Sequence, residues 1–141
     1  MSNRLFLDTN ILVFLVTKDA GELSSDVRNL ISDYSCTLYA SSVAILELLQ
    51  LYRIGKIRFK KGQKIEDIFG IMENELGVSI VSFDAKHAKS LSNLYIVEGH
   101  NDPFDHAIIS HAIADRYTLV SSDSKFRHYK NQHLNFVYNK R

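Results

Sequence analysis

Four acids in four separate segments, Asp8, Glu47, Asp105 and Asp123, are the residues of this chain best placed to do chemistry. Asp8 ends the apolar run Arg4 to Leu7 and Asp123 follows Thr118 to Ser122, so each stands at the carboxyl end of an expected strand. Open α/β sheets bind ligands at that end. Glu47 is the only charged residue from Ser42 to Tyr52, and Val43 and Leu51 flank it at spacings of four, so its helix face is apolar and packs inward. Asp105 shares a helical stripe with Ile108, Ile109 and Ala112, at spacings of three, four and seven, on a helix that Asp102 caps and Pro103 begins. A bare buried carboxylate is costly, so such positions ask for a partner.

Each acid alone has an ordinary explanation. Asp8 and Asp123 serve as turn formers or helix caps, Glu47 as an edge glutamate with its head in water, and Asp105 as the N3 acid of a capping box with Asp102. Those roles do not explain why acids from four elements would be carried to one end of a sheet. Asp84 also follows a strand-like run, but its helix carries Lys86 and Lys89 and reads as a surface element, leaving capping as the simpler role.

Carboxylates gathered within a few ångströms repel one another, which raises their pKa values unless a cation is present. All-oxygen ligands with retained waters suit Mg²⁺ or Mn²⁺ rather than Zn²⁺. No pair of the six histidines has the four-residue spacing of a helical zinc site, and they read as surface or loop residues. The fitting chemistry is phosphodiester hydrolysis, in which metal lowers the pKa of bound water and offsets charge on the phosphorus oxygens. A Gly-rich phosphate loop, a Gly-x-Ser-x-Gly elbow and a cysteine motif, which would compete, are all missing.

The elements that must position these acids alternate. Strand-like runs at Arg4 to Leu7, Thr37 to Ala40, Val78 to Val81, Thr118 to Val120 and Asn135 to Tyr138 are separated by helix-like segments. The helices are expected at Asn10 to Thr17, Ser24 to Tyr34, Ser42 to Ile54, Ile65 to Leu76, Ala85 to Leu94 and Pro103 to Tyr117. Ser24, Ser42 and Asp102 are the expected N-caps, and Gly55 and Gly77 the stop residues. This alternation implies right-handed crossovers and an α/β fold: a three-layer sandwich with a mostly parallel sheet of about five strands. Lys56 to Lys64 is the expected mobile loop.

A chain of 141 residues, 45% apolar and 23% charged, suits one globular domain. The lone Cys36 forms no internal disulfide, and a cytoplasmic, reducing location is expected. No segment approaches the ~20 apolar residues of a membrane span, and neither a signal peptide nor an anchor is expected. The net charge of +1 argues against a dedicated high-affinity nucleic-acid module, so such contact must be local. Arg53, Lys56, Arg58, Lys60, Lys61 and Lys64 supply one basic group, and Lys125, Arg127 and Lys130 a second.

Four segments carry a resemblance: Leu-Phe-Leu-Asp-Thr-Asn at Leu5 to Asn10, Ser-Ser-Val-Ala-Ile-Leu-Glu-Leu ending at Leu48, Asn-Asp-Pro-Phe-Asp-His-Ala-Ile-Ile at Asn101 to Ile109, and Leu-Val-Ser-Ser-Asp-Ser-Lys-Phe at Leu119 to Phe126. In order and spacing, over nearly the whole length, the chain resembles PIN-domain ribonucleases of the VapC type, toxins of toxin-antitoxin pairs. The resemblance implies a single PIN-like domain over residues 1–141 and a metal-dependent endoribonuclease, with Asp8, Glu47, Asp105 and Asp123 binding Mg²⁺ or Mn²⁺. Asp8 and Asp105 would be the principal ligands. It further implies that Asn10 orients the first acid or a water, that Ser121 hydrogen-bonds within the cluster, that RNA is the substrate, and that the protein forms a homodimer and binds a cognate antitoxin across an apolar groove. Two departures stand out: His106 and Ser122 occupy positions where the family often has arginine, which bears on substrate grip more than on metal binding.

Two rivals differ from this reading. A phosphatase of the haloacid-dehalogenase type would need an acid two residues after Asp8, where Asn10 stands. A catalytically silent PIN-like domain that binds RNA or protein would not need all four acids.

Overall fold

The structure, a computed structural model, describes residues 3–141. Its centre is a sheet of five parallel strands, β1 (Arg4–Leu7), β2 (Thr37–Ser41), β3 (Val78–Val81), β4 (Thr118–Ser121) and β5 (Asn135–Tyr138), in the order β3-β2-β1-β4-β5. Leu5, Phe6 and Leu7 are successive and all buried, as a strand covered on both faces requires. β4 is buried throughout for the same reason. The edge strands carry more polar or exposed positions, including Ser79, Asn135 and Tyr138.

The helices are α1 (Thr9–Val16), α2 (Ser25–Ile31), α3 (Ser42–Arg53), α4 (Asp67–Gly70), α5 (Ala85–Asn93) and α6 (Pro103–Asp115), with 3₁₀ segments at Ala20–Glu22 and Ser124–Gln132. From β1 the chain moves outward to β2 and β3, then returns across the sheet to β4 and on to β5. Right-handed crossovers in opposite directions lie on opposite faces, so this order gives the layered sandwich expected from the sequence. It also places the reversal between β1 and β4, where the two crossovers diverge and leave a crevice at the carboxyl ends.

The local chemistry follows the expected caps with one shift. Ser24 accepts from Val27 N and Asp102 from Phe104 N, and Gly55 and Gly77 take positive φ where helical segments stop. The cap of α3 is Ser41, whose Oγ accepts from Val43 N at 3.1 Å, and not Ser42. Strand β2 runs directly into α3, so the last strand residue has the extended backbone a cap needs, while Ser42 Oγ accepts from Phe83 N at 3.0 Å after β3.

The single helix expected from Ile65 to Leu76 is instead α4 followed by a π-helical turn, Ile71–Glu75, with Leu76 N donating to Ile71 O at 2.9 Å. Gly70 at the junction weakens an α register, and the wider turn still buries Ile68, Ile71 and Met72. The Lys56 to Lys64 loop is tethered to the end of α1, with Gln63 Nε2 donating to Val16 O at 3.0 Å and Lys60 Nζ to Lys18 O at 3.3 Å. Among the described residues no helix is long and apolar enough to cross a membrane.

Candidate metal centre

The crevice beside β1 collects the acids. Asp8 caps α1 immediately after β1, its Oδ1 accepting from Thr9 N at 2.8 Å. Ser121, the last residue of β4, donates its hydroxyl to Asp8 Oδ2 at 2.6 Å, and Asn10 Nδ2 reaches the same oxygen at 3.1 Å. Asn10 also bonds Ser121 Oγ at 3.2 Å and accepts from Ser122 N at 3.1 Å, clamping the ends of β1 and β4 together. Glu47 projects from α3 and accepts from Thr9 Oγ1 at 2.5 Å. Asp105, in the first turn of α6, completes the group: Asp8, Glu47 and Asp105 each offer an oxygen within 4.8 Å of the others.

Asp123 follows β4 and joins Asp105 from the other side. Asp105, Asp123 and His100 form a second group with one atom each within the same 4.8 Å, sharing Asp105 with the first. Asp123 N donates to Ser121 Oγ at 3.0 Å, while its carboxylate caps the following 3₁₀ segment through Lys125 N. Asp102 remains the cap of α6, so capping and the acid group coexist at this helix start.

The electrostatics are those of crowded, sheltered anions. Burial, then the neighbouring charge of Asp105, pushes Asp8 up to about 7 despite the Ser121 hydrogen bond. Burial, together with Asp102, Glu47 and Asp123, pushes Asp105 up to about 8. Glu47 is raised as well, chiefly by burial. Cation-free, the cluster therefore holds protons near neutral pH, and the donor set is oxygen-rich, as a hard divalent cation prefers.

Three histidines expected at the surface are core residues: His87 and His100 are each 3% exposed and His111 is fully buried. Each has a partner from a distant element, Asp115 for His87, Tyr129 for His100 and Ser41 for His111, which residue spacing does not reveal. His87, His111 and Asp115 also approach within 4.8 Å, but this group does not suit a cation. Asp84 N donates to His87 Nδ1 at 2.9 Å, so the ring proton sits on Nε2, which donates to Asp115 Oδ2 at 2.7 Å. No lone pair remains on that ring for a metal. Lys86 Nζ takes the other Asp115 oxygen at 2.5 Å. The group is a polar lock between α5 and α6, and burial followed by the adjacent His87 lowers His111 to about 4, keeping it neutral.

The residues that spacing alone missed at the centre are His100 and Thr9. Thr9 lies between two residues already singled out, and His100 stands two residues before the α6 cap. At the positions of the two departures, His106 Nε2 bonds the His100 carbonyl at 2.7 Å and Ser122 Oγ accepts from Asn139 Nδ2 at 2.8 Å. Both side chains serve local structure.

A parallel α/β sheet with acids gathered at its topological switch point defines the class. The sequence matches the PIN domain over residues 5–132, and the chain belongs to that family. Among solved structures, a chain of VapBC2 from Rickettsia felis bound to a promoter DNA fragment is 26% identical, with a TM-score of 0.69, covering 97% of this chain and 99% of that one. A chain of DNA-bound VapBC from Salmonella typhimurium has the same fold at 15% identity, with a TM-score of 0.63 and coverage of 96% and 97%. No curated protein matches the chain.

Proposed function

We propose that this protein, one PIN-like domain over residues 1–141, is a Mg²⁺- or Mn²⁺-dependent endoribonuclease and the toxin of a toxin-antitoxin pair. The observation that carries the reading is the approach of Asp8, Glu47 and Asp105 within 4.8 Å at the switch point, with burial raising all three carboxyls. These oxygens, with Asp123 on the far side of Asp105, would hold the cation. When bound, it lowers the pKa of a coordinated water and offsets negative charge on the scissile phosphate.

The chain's own residues do the rest. Ser121, Asn10 and the Thr9 amide hold Asp8 in one orientation, and Thr9 Oγ1 fixes Glu47. Lys125, next but one to Asp123, is the nearest basic residue in sequence to the acids and suits a phosphate beside them. With neither expected arginine present, RNA grip falls to Lys125, Arg127 and the Arg53 to Lys64 group.

Likeness to chains of VapBC complexes supports an antitoxin partner, and a groove of about 350 Å³ between α1 and the 57–60 loop, in which Val13, Phe14, Ile57 and Phe59 alternate with Lys18, Asp19, Arg58 and Lys60, offers a mixed apolar and charged surface for it. We also take the working form to be a homodimer in the cytoplasm.

Purified protein incubated with RNA should cleave internally only with Mg²⁺ or Mn²⁺, and Asp8→Asn or Asp105→Asn should abolish cleavage while the circular dichroism spectrum is retained. Full activity in either variant would sink the assignment. A wild-type protein that binds RNA and never cuts it would instead be a silent binding domain.

A further inference from the structure

One buried residue beside the acids makes a complete set of hydrogen bonds that neither capping nor packing calls for. His100 Nε2 lies 3.0 Å from Asp105 Oδ2, and its Nδ1 lies 2.8 Å from Tyr129 Oη. Tyr129 is fully buried in the 3₁₀ segment after β4, and its Oη accepts from Val97 N at 3.1 Å.

These contacts determine where the protons are. The Tyr129 hydroxyl already accepts the Val97 amide, so its own proton goes to His100 Nδ1, the other group bonded to it. That nitrogen is then an acceptor, and the imidazole proton must sit on Nε2, aimed at Asp105. The opposite tautomer would strand the buried Tyr129 hydroxyl proton, because the other group at that oxygen, Val97 N, is itself a donor. The residue is also held in place: its backbone carbonyl accepts from His106 Nε2 at 2.7 Å, and the rings of Phe126 and Tyr129 stand 5.8 and 5.4 Å from its imidazole.

We propose that His100 is a positioning residue for Asp105: the chain from Val97 N–H through Tyr129 and His100 holds one Asp105 oxygen, so the carboxylate meets a cation in a single orientation. The inference rests on the metal-centre reading above. Neutral donors behind ligating carboxylates act in this way, raising affinity by cutting the reorganisation that binding requires. His100 itself does not ligate, because its only inward-facing lone pair is occupied by a proton.

The test has a metal-free and a metal-loaded arm. In the metal-free protein, long-range ¹H–¹⁵N NMR should show His100 protonated on Nε2 and bare on Nδ1. The reverse tautomer overturns the proposal and would make His100 a ligand.

In the second arm, Mn²⁺ affinity is measured by electron paramagnetic resonance for the wild type, His100→Gln and His100→Asn, each checked for folding by its melting temperature. Glutamine places an amide donor where Nε2 stands, whereas asparagine reaches only the Nδ1 position. His100→Asn should weaken Mn²⁺ binding roughly 10–100-fold, while His100→Gln stays within about threefold. Unchanged affinity in His100→Asn, or equal losses in the two variants, overturns the positioning role. If the wild type shows no Asp105-dependent Mn²⁺ binding, the metal-centre reading fails and the positioning role falls with it, even where the tautomer is as stated.

Discussion

Ser121 Oγ and Asp8 Oδ2 are 2.6 Å apart across a sequence separation of 113 residues, joining the carboxyl ends of two neighbouring parallel strands. The hydroxyl favours the ionised form of Asp8 against the burial that opposes it. Ser121→Ala is therefore expected to raise the Asp8 pKa further and weaken Mn²⁺ binding roughly 10–100-fold, as loss of support behind a ligand does. Isothermal titration at pH 7 checks this, and an affinity equal to wild type would contradict it.

The acids also set a pH dependence. Asp8 and Asp105 rise from 3.8 to about 7 and about 8, so above pH 4 the folded metal-free protein holds protons that the unfolded chain has released. Stability therefore falls as pH rises through those values. His111 works in the opposite sense, since its pKa drops from 6.5 to about 4 and its stabilisation is lost as pH falls through that interval. Between about pH 6.5 and 8.5 Asp8 and Asp105 give up these protons, so the melting temperature of metal-free protein should decline there and added Mg²⁺ should restore it. A flat profile without metal would refute the shifts.

Away from the centre, Asp115 receives His87 Nε2 and Lys86 Nζ at once, and these hydrogen bonds lower its pKa although burial opposes them. Asp115→Ala leaves the His87 N–H buried without its acceptor. A loss of about 1–3 kcal/mol in urea unfolding is expected, and Lys86→Ala, an exposed partner, should cost much less.

Asn139, fully buried after β5, accepts from Ser24 N at 2.7 Å and donates to Glu22 O and Ser122 Oγ at 2.9 and 2.8 Å. It ties the end of the chain to the start of α2 and to the residue after Ser121. Asn139→Ala should cost about 1–3 kcal/mol because the partners are left in a dry site. The same variant should leave the Asp8, Glu47 and Asp105 approach intact, so Mn²⁺ affinity measured below the melting temperature should change little.

Much of this arrangement was readable from residue order. Asp8 and Asp123 just beyond their strands, the isolated Glu47 and the Asp102-Pro103-Phe104-Asp105 helix start all lie at one end of the sheet because strand alternation dictates it. Less was readable where partners are remote. His111 meets Ser41 Oγ at 2.9 Å and stacks edge-on against Phe6, and neither contact leaves a periodic trace. His87 did leave one, since Asp84 and His87 stand at cap and N3 and form a capping box in which imidazole replaces the usual glutamate. The π turn at Ile71–Glu75 was hidden because its apolar spacing imitates an ordinary helix.

The central place of β1, between β2 and β4, has a temporal consequence. During synthesis β1, β2 and β3 leave the ribosome first and can pair without β4. Until Thr118–Ser121 follows, Asp8 has neither the Ser121 hydroxyl nor the strand that shelters it, and Tyr129 is not there to orient His100. A nascent or truncated copy ending before β4 would carry Asp8, Glu47 and Asp105 but no assembled centre. For an enzyme whose proposed substrate is RNA, made on a machine built of RNA, this order would withhold the assembled centre until β4 has emerged.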